Sequence, residues 1–261
     1  MCRPRAVPLD VSTDRGTYLT PAGPRILAHR GLSLDAPENT LLSFRRALAA
    51  GATHLETDVH ATSDGIAVIS HDNVTPAGDR TLNRMTMAQL SAIELGRGER
   101  YCSLQNALVA FPDALFNIDV KSADAVVPTA EAINAAGAGH RVLLTSFSES
   151  RRRGVLRLVP GAASSASARG VALTVLAMSL RQHWLVRRLV RGVVALQVPE
   201  RAGPVQIVSE RAITGLHALG IEIHVWTVNE PERMRTLLGM GVDGLVTDRS
   251  DLAAEVVRDL R

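Results

Sequence analysis

The sequence predicts an α/β protein built as a single (β/α)8 TIM barrel, and three observations carry that expectation. From about residue 26 onward, short apolar runs alternate with longer helix-patterned stretches. Most of these runs are apolar on both alternations over part of their length, as strands are when both faces of a parallel sheet are covered. No G-x-G-x-x-G follows the first run, which takes away the main support for a doubly wound open sheet. The length agrees: 261 residues with 46% apolar content exceed the commonest domain size, but α/β barrels routinely reach about 250 residues as one domain. That apolar fraction excludes a disordered chain, and 20 Gly with only Cys2 and Cys102 exclude collagen-like and disulfide-rich classes.

Taken in order, residues 1–24 carry Arg3, Arg5, Asp10, Asp14 and Arg15 and lack the apolar centre of a secretory signal. They read as a loosely ordered extension before a barrel domain at 25–261. With no apolar stretch long enough to cross a bilayer, a cytoplasmic location is expected. The runs 26–29, 54–59, 115–120, 142–147, 162–167, 193–198, 221–228 and 244–247 read as the eight strands, with 162–167 (AASSAS) the weakest. Helix patterns lie between them. The first is TLLSFRRALAA, with Asn39 as its expected cap and Gly51 closing it. Others are SLQNALVAF, VVPTAEAINAAG, SERAITGLHALG and PERMRTLLGMG. A further apolar run at 66–70 follows Asp64-Gly65, a two-residue turn signal, so a hairpin pairing position 58 with position 71 is expected after the second strand.

The charge is mildly basic, +3, but of 29 basic residues only Lys121 is a lysine. Where arginine is the default, a lone lysine suggests a place that needs a compact ammonium instead of a planar fork.

Active sites of such barrels lie at the carboxyl ends of the strands, so the closing residues of each run come first. They form a concentrated polar set: His29-Arg30-Gly31, Glu56-Thr57-Asp58, His71-Asp72, Asp119-Val120-Lys121 and Trp226 with Asn229. Glu56 and Asp58 are two apart on a strand and share a face. Crowded carboxylates need positive charge, and a divalent cation with Asp119 as a third ligand supplies it; oxygen donors favour Mg²⁺, Ca²⁺ or Mn²⁺ over zinc. The alternative is a purely structural network with Arg30 or other arginines. His29 and His71 each close a strand beside a charged residue and could act as general base and general acid. His54, His140, His183, His217 and His224 read as core or surface residues, and His60 is only slightly more suggestive. Arg30 and Lys121, together with a cation, imply an anionic substrate, with phosphate the natural choice.

The segments ILAHRG-LSLDAPENT and HLETDVHATSDGIAVISHD resemble the signature of the glycerophosphodiester phosphodiesterase family. NIDVK, VLLTSF, IHVWTVNEPE and GVDGLVTDRSD resemble the same family in the same order, so the likeness spans residues 26 to about 252. The resemblance implies a barrel of the phospholipase-C-like phosphodiesterase type that hydrolyses glycerophosphodiesters to an alcohol and glycerol 3-phosphate, using one divalent cation. It implies His29 and His71 as the acid–base pair and Glu56, Asp58 and Asp119 as metal ligands. Arg30 and Lys121 would hold phosphate oxygens, Glu38 would line the pocket, and Trp226 would form an apolar wall near the glycerol. Two departures stand out. Asp119 replaces the usual glutamate, as in the related sphingomyelinase D branch. The stretch HDNVTPAGDRTLNRMT also leads straight toward the next helix, so no inserted lid subdomain and an open mouth are expected.

Two other functions stay open: lysophospholipase D-type hydrolysis at the same site, and a barrel that only binds phosphorylated ligands. The partner is expected to be a small phosphodiester and not a nucleic acid. A further expectation concerns the span between Glu149 and Glu200, which holds nine arginines and no acidic residue. On a helix over 180–191, Leu185, Val186, Leu189 and Val190 take the side facing the barrel. Arg181, Arg187, Arg188 and Arg191 surround Trp184 on the other, a face suited to weak peripheral contact with anionic membrane. The plainer alternative is an arginine-biased helix with a half-buried tryptophan.

Overall fold

The structure, a computed structural model, describes residues 17–20 and 23–260, so most of the expected extension at 1–24 lies outside the described residues. Eight parallel strands form the sheet: β1 (Arg25–Ala28), β2 (His54–Ala61), β3 (Leu115–Val120), β4 (Val142–Thr145), β5 (Ala163–Ser164), β6 (Ala195–Pro199), β7 (Glu222–Trp226) and β8 (Gly244–Thr247). Their spatial order is β5-β4-β3-β2-β1-β8-β7-β6. A single parallel bridge, Ser165 to Ala195, joins the two ends. Val194 N donates to Ser164 O at 2.8 Å beside it, so the sheet closes into a barrel. Each of the eight expected runs overlaps one of these strands. The Ser/Ala-rich run supplies only two strand residues and closes the barrel through a bridge, in keeping with side chains too small to pack a longer ladder.

The helices cover the outside: α1 (Leu41–Ala50), α2 (Leu104–Ala110), α3 (Val126–Ala135), α4 (Glu149–Leu158), α5 (Ala168–Ser179), α6 (His183–Leu189), α7 (Glu210–His217), α8 (Pro231–Gly239) and α9 (Ser250–Asp259). Alternation along β2 shows how strand and site are built together. Leu55 and Val59 join the apolar layer under the helices, where Phe44 of α1 meets Phe116 of β3 edge-on at 5.9 Å. His54, Glu56, Asp58 and His60 take the other face, into the barrel. Thr40, not Asn39, caps α1: its hydroxyl accepts from Ser43 N in a capping box. Asn39 is thereby free for another task.

The floor of the barrel is closed by the chain that precedes β1. Tyr18 is fully buried against Leu115, Leu143 and Ala195, and its ring meets His54 at 4.6 Å. Burial lowers the His54 pKa to about 3, so the ring is neutral and Nε2–H donates to Tyr18 O at 3.0 Å. One side over, Glu222 pairs with Arg25 at 2.8 Å and with His224 at 3.0 Å. Burial alone would raise Glu222; the bonds from His224 and Arg25 outweigh it and hold the carboxyl at about 2. His54 and His224 are thus satisfied structural residues, as expected.

The hairpin after β2 exists, with its register one residue away from expectation. Val59 pairs with Ile69, His60 with Val68 and Ala61 with Ala67 in the return strand Ala67–Ile69. Thr62 is the reason. Its N–H donates to Ile66 O at 2.9 Å, and its hydroxyl donates to Asp64 Oδ1 at 2.5 Å and accepts from Ile66 N at 2.9 Å. That closes a three-residue loop with Gly65 left-handed at φ 76°. Asp58 therefore lies opposite Ser70, not His71. Beyond the return strand the chain is more than a plain connection. A turn at Leu82–Arg84, a helix at Met87–Leu90 and the pair Glu94–Gly96 with Glu99–Arg100 surround a small cluster of Val68, Leu82, Met85, Leu90 and Tyr101. This satellite is anchored on the hairpin through Val68, and its apolar cluster is separate from the main core of the barrel.

Candidate active site

Where β1 ends at Ala28, β2 continues for several residues past it. The edge of β2 that β1 leaves is taken over by the return strand: Arg30 N donates to Glu56 O at 3.1 Å, and two residues on, Ser70 N donates to Asp58 O at 3.0 Å. His29-Arg30 and Ser70-His71 therefore follow one another along the same edge of β2, at the mouth of the barrel. His60 fixes the second of these segments by donating Nε2–H to His71 O at 3.0 Å, which gives it a part in shaping the site.

Both histidines are held in the same manner. His29 Nδ1 lies 2.6 Å from Asp248 Oδ1, just after β8, and His71 Nδ1 lies 2.8 Å from Asp72 Oδ1. Each carboxylate engages Nδ1–H and leaves Nε2 as the available ring nitrogen. Asp248 is itself clamped. Asn229 Nδ2 donates to Asp248 Oδ2 at 2.8 Å, and Asn229 Oδ1 accepts from Asp248 N at 2.9 Å and from Thr247 Oγ1 at 3.1 Å. The bond from His29, then that from Asn229, lowers the Asp248 carboxyl below its ordinary range. Asp248 was not singled out in the sequence, although it stands at the carboxyl end of a strand, as His29 does. Replacing it with Asn keeps the shape but removes the charge that selects the Nδ1–H tautomer. Asp248→Asn is expected to lower kcat by about 10²–10³-fold with KM little changed, measured by steady-state kinetics.

Below the histidines sits the carboxylate cluster. The register places Asp58 level with Asp119 and Glu56 level with Asn117, all four inward. Lys121 Nζ lies 2.8 Å from Asp58 Oδ1 and 2.8 Å from Asp119 Oδ2, so the lone lysine bridges two carboxylates. Burial alone would lower the Lys121 pKa, but Asp58 and Asp119 raise it. Arg30 grips both oxygens of Glu38, at 3.0 and 3.1 Å, and its Nε lies 3.3 Å from Asp58 Oδ2 without the alignment of a hydrogen bond. Asn39, with φ 56°, donates to Asp58 Oδ2 at 3.4 Å and accepts from Thr57. Arg30 also has positive φ, 58°, and Gly31 follows at 86°, where a Cβ would sit 2.4 Å from Ser43 Oγ and 2.7 Å from its backbone. A strained backbone held this firmly is typical of a functional turn. Every residue expected at the site, His29, Arg30, Glu38, Glu56, Asp58, His71, Asp119, Lys121 and Trp226, stands at or just inside this mouth.

The cluster is short of positive charge. Burial, followed by repulsion from Asp58 and Asp119, raises Glu56 well above the carboxylate range, and burial raises Asp119. Asp119 Oδ1 is buried without a hydrogen-bond partner. Hard oxygen donors, crowding and an orphaned oxygen fit a divalent cation, which Glu56, Asp58 and Asp119 could hold. As the side chains stand, Lys121 occupies the centre, and among the described residues no three potential ligands already form a metal-binding group.

The rim has an apolar side. Trp226, at the end of β7, meets Phe147 edge-on at 6.3 Å, and Phe147 is 59% exposed. Phe147 follows β4 and extends the wall expected of Trp226.

The mouth of this parallel barrel gathers paired histidines, a carboxylate cluster and two cations, and the family match and named relatives place the chain among the phosphoric diester hydrolases. The chain is a member of the Glycerophosphoryl diester phosphodiesterase family, whose model matches residues 29–252. A Mycobacterium tuberculosis protein named Probable glycerophosphodiester phosphodiesterase 2 is 39% identical over 245 residues, covering 92% of this chain and 93% of that one. A solved glycerophosphodiester phosphodiesterase from Thermotoga maritima is 26% identical with a TM-score of 0.68, covering 90% of this chain and 97% of that one. An Oleispira antarctica phosphodiesterase, solved in complex with the product sn-glycerol-3-phosphate, shares the fold at a TM-score of 0.73 and 21% identity, covering 90% and 97%.

Proposed function

We propose that this protein hydrolyses glycerophosphodiesters to an alcohol and glycerol 3-phosphate, with His29 and His71 as acid and base. The observation that carries this is the shared arrangement of the two rings: each has Nδ1 engaged by an aspartate and Nε2 available, on neighbouring segments of one strand edge. The product complex of the Oleispira antarctica relative supports the same substrate class. Glu56, Asp58 and Asp119 would hold a divalent cation, Ca²⁺, Mg²⁺ or Mn²⁺, which would supply positive charge to the diester. Arg30 and Lys121 orient the phosphate oxygens and stabilise the charge that grows on them during in-line attack. One imidazole Nε2 takes the proton of the attacking hydroxyl, either from water directly or from the neighbouring glycerol hydroxyl, in which case water then opens the resulting five-membered cyclic phosphate to glycerol 3-phosphate. The other Nε2 gives a proton to the leaving alkoxide. Asp248 and Asp72 stabilise the imidazolium of each ring. Glu38 keeps the Arg30 guanidinium in place. A cytoplasmic location belongs to the same reading; no described helix is long and apolar enough to cross a membrane.

The exposed Phe147 beside Trp226 favours a second reading, lysophospholipase D activity, in which an acyl chain rests on this wall. Comparing choline release from glycerophosphocholine and lysophosphatidylcholine separates the two. Faster turnover of the first by at least about tenfold in kcat/KM is expected. The reverse order would shift the assignment to lysolipids.

A further inference from the structure

Helices α5 and α6 form an outer pair with no acidic residue anywhere between Glu149 and Glu200. Two independent features lie on its solvent side. The first is apolar: Leu173 is 39% exposed, Leu176 55%, Leu180 61% and Trp184 65%. Leu173, Leu176 and Leu180 lie three and seven residues apart, which puts them within about 60° of one another on the helix, a stripe and not scattered residues. The second is cationic. Arg153, Trp184, Arg187, Arg188 and Arg191 line one open depression of about 570 Å³. Arg153 is tied to Glu149 at 2.5 Å, whereas Arg187, Arg188 and Arg191 are exposed and form no ion pair among the described residues. The helix is shorter than the expected 180–191, and Arg181 lies before it with φ 55°, outside the expected face, but the inner side of α6 follows expectation: Val186 and Val190 are buried and Leu185 and Leu189 pack against the core. Trp184 is thus free of the packing that the plainer reading of this helix required.

We propose that the α5–α6 face is a docking surface for anionic lipid bilayers, with Arg187, Arg188 and Arg191 on the phosphate headgroups and Leu176, Leu180 and Trp184 at the acyl boundary. Charge complementarity selects an anionic partner. The apolar stripe beside the charge selects a lipid surface over a nucleic acid, which has no use for exposed leucines. The residues involved are separate from the mouth, so docking is independent of the proposed reaction.

Co-sedimentation of the full chain with phosphatidylglycerol and with phosphatidylcholine vesicles tests this. Binding is expected only to phosphatidylglycerol, and it should fall at least about tenfold between low and high salt as the charges are screened. The triple substitution Arg187→Ser, Arg188→Ser, Arg191→Ser should lower the affinity at least about tenfold. So should Leu176→Ser with Trp184→Ser, while hydrolysis of a soluble diester stays unchanged and reports intact folding. Absence of binding to phosphatidylglycerol at low salt overturns the proposal. So does binding lost with the arginines but indifferent to Leu176 and Trp184, which would mark a general polyanion site.

Discussion

His29→Ala and His71→Ala are each expected to lower kcat by about 10²–10⁴-fold on a natural alkyl diester, the loss typical of removing a proton-transfer group. The fold should survive both changes. His29 and His71 stand at the mouth, whereas the buried histidines that support the barrel, His54 and His224, are bonded within its lower half. Thermal melting curves of both variants should lie close to wild type. The double variant should lose little beyond the worse single variant, since either proton transfer alone is insufficient for turnover. Steady-state kinetics on glycerophosphocholine checks all three statements.

Removal of divalent cations is expected to have an effect of similar size. Three buried carboxylates lie together with one ammonium that pairs with only two of them, Asp58 and Asp119, and with Asp119 Oδ1 unpartnered the cluster carries an electrostatic cost a cation would relieve. Exhaustive chelation should lower turnover by about 10²–10⁴-fold, and Ca²⁺, Mg²⁺ or Mn²⁺ should restore it. A readout independent of activity is the melting temperature. A saturating cation at about 100 times its Kd should stabilise the wild type by about 2.7 kcal/mol. Asp58→Asn should largely remove that response. Activity that survives chelation, with no thermal response to any of the three ions, would leave the cluster as a structural network built on Lys121 and Arg30.

Much of this molecule is legible in its sequence because a barrel ties two signals to one pattern. The strands are apolar enough to find by periodicity, and the polar residues that interrupt them gather at their carboxyl ends. Glu56-Thr57-Asp58 interrupts an otherwise apolar strand, and its inward pair could be read directly from the period of two. The misses have physical causes. The hairpin register turned on the Thr62 hydroxyl, which closes a three-residue loop that the Asp64-Gly65 signal alone does not specify. Asn39 is expected as the helix cap, but Thr40 and Ser43 form the capping box, and Asn39 turns to Asp58 instead, a contact across 19 residues that no local pattern announces. The Asp248–His29 pair joins residues 219 apart, so no local pattern announces it. The parallel pairing of β8 with β1 brings these two residues together. The satellite around Leu82 and Leu90 has too few apolar residues, too irregularly spaced, to show a period.

The proposed reaction needs two histidines with opposite proton-transfer roles, and leaving-group dependence tests that most directly. An alkoxide must be protonated as it departs; a p-nitrophenolate need not be. The measurement is kcat/KM of wild type, His29→Ala and His71→Ala on a glycerol phosphodiester with an alkyl leaving group and on its p-nitrophenyl counterpart. One variant, the one lacking the acid, should recover most of its activity on the p-nitrophenyl ester, while the other stays impaired on both substrates. Equal losses on both substrates for both variants, or full activity in either variant on the alkyl diester, would contradict the assignment.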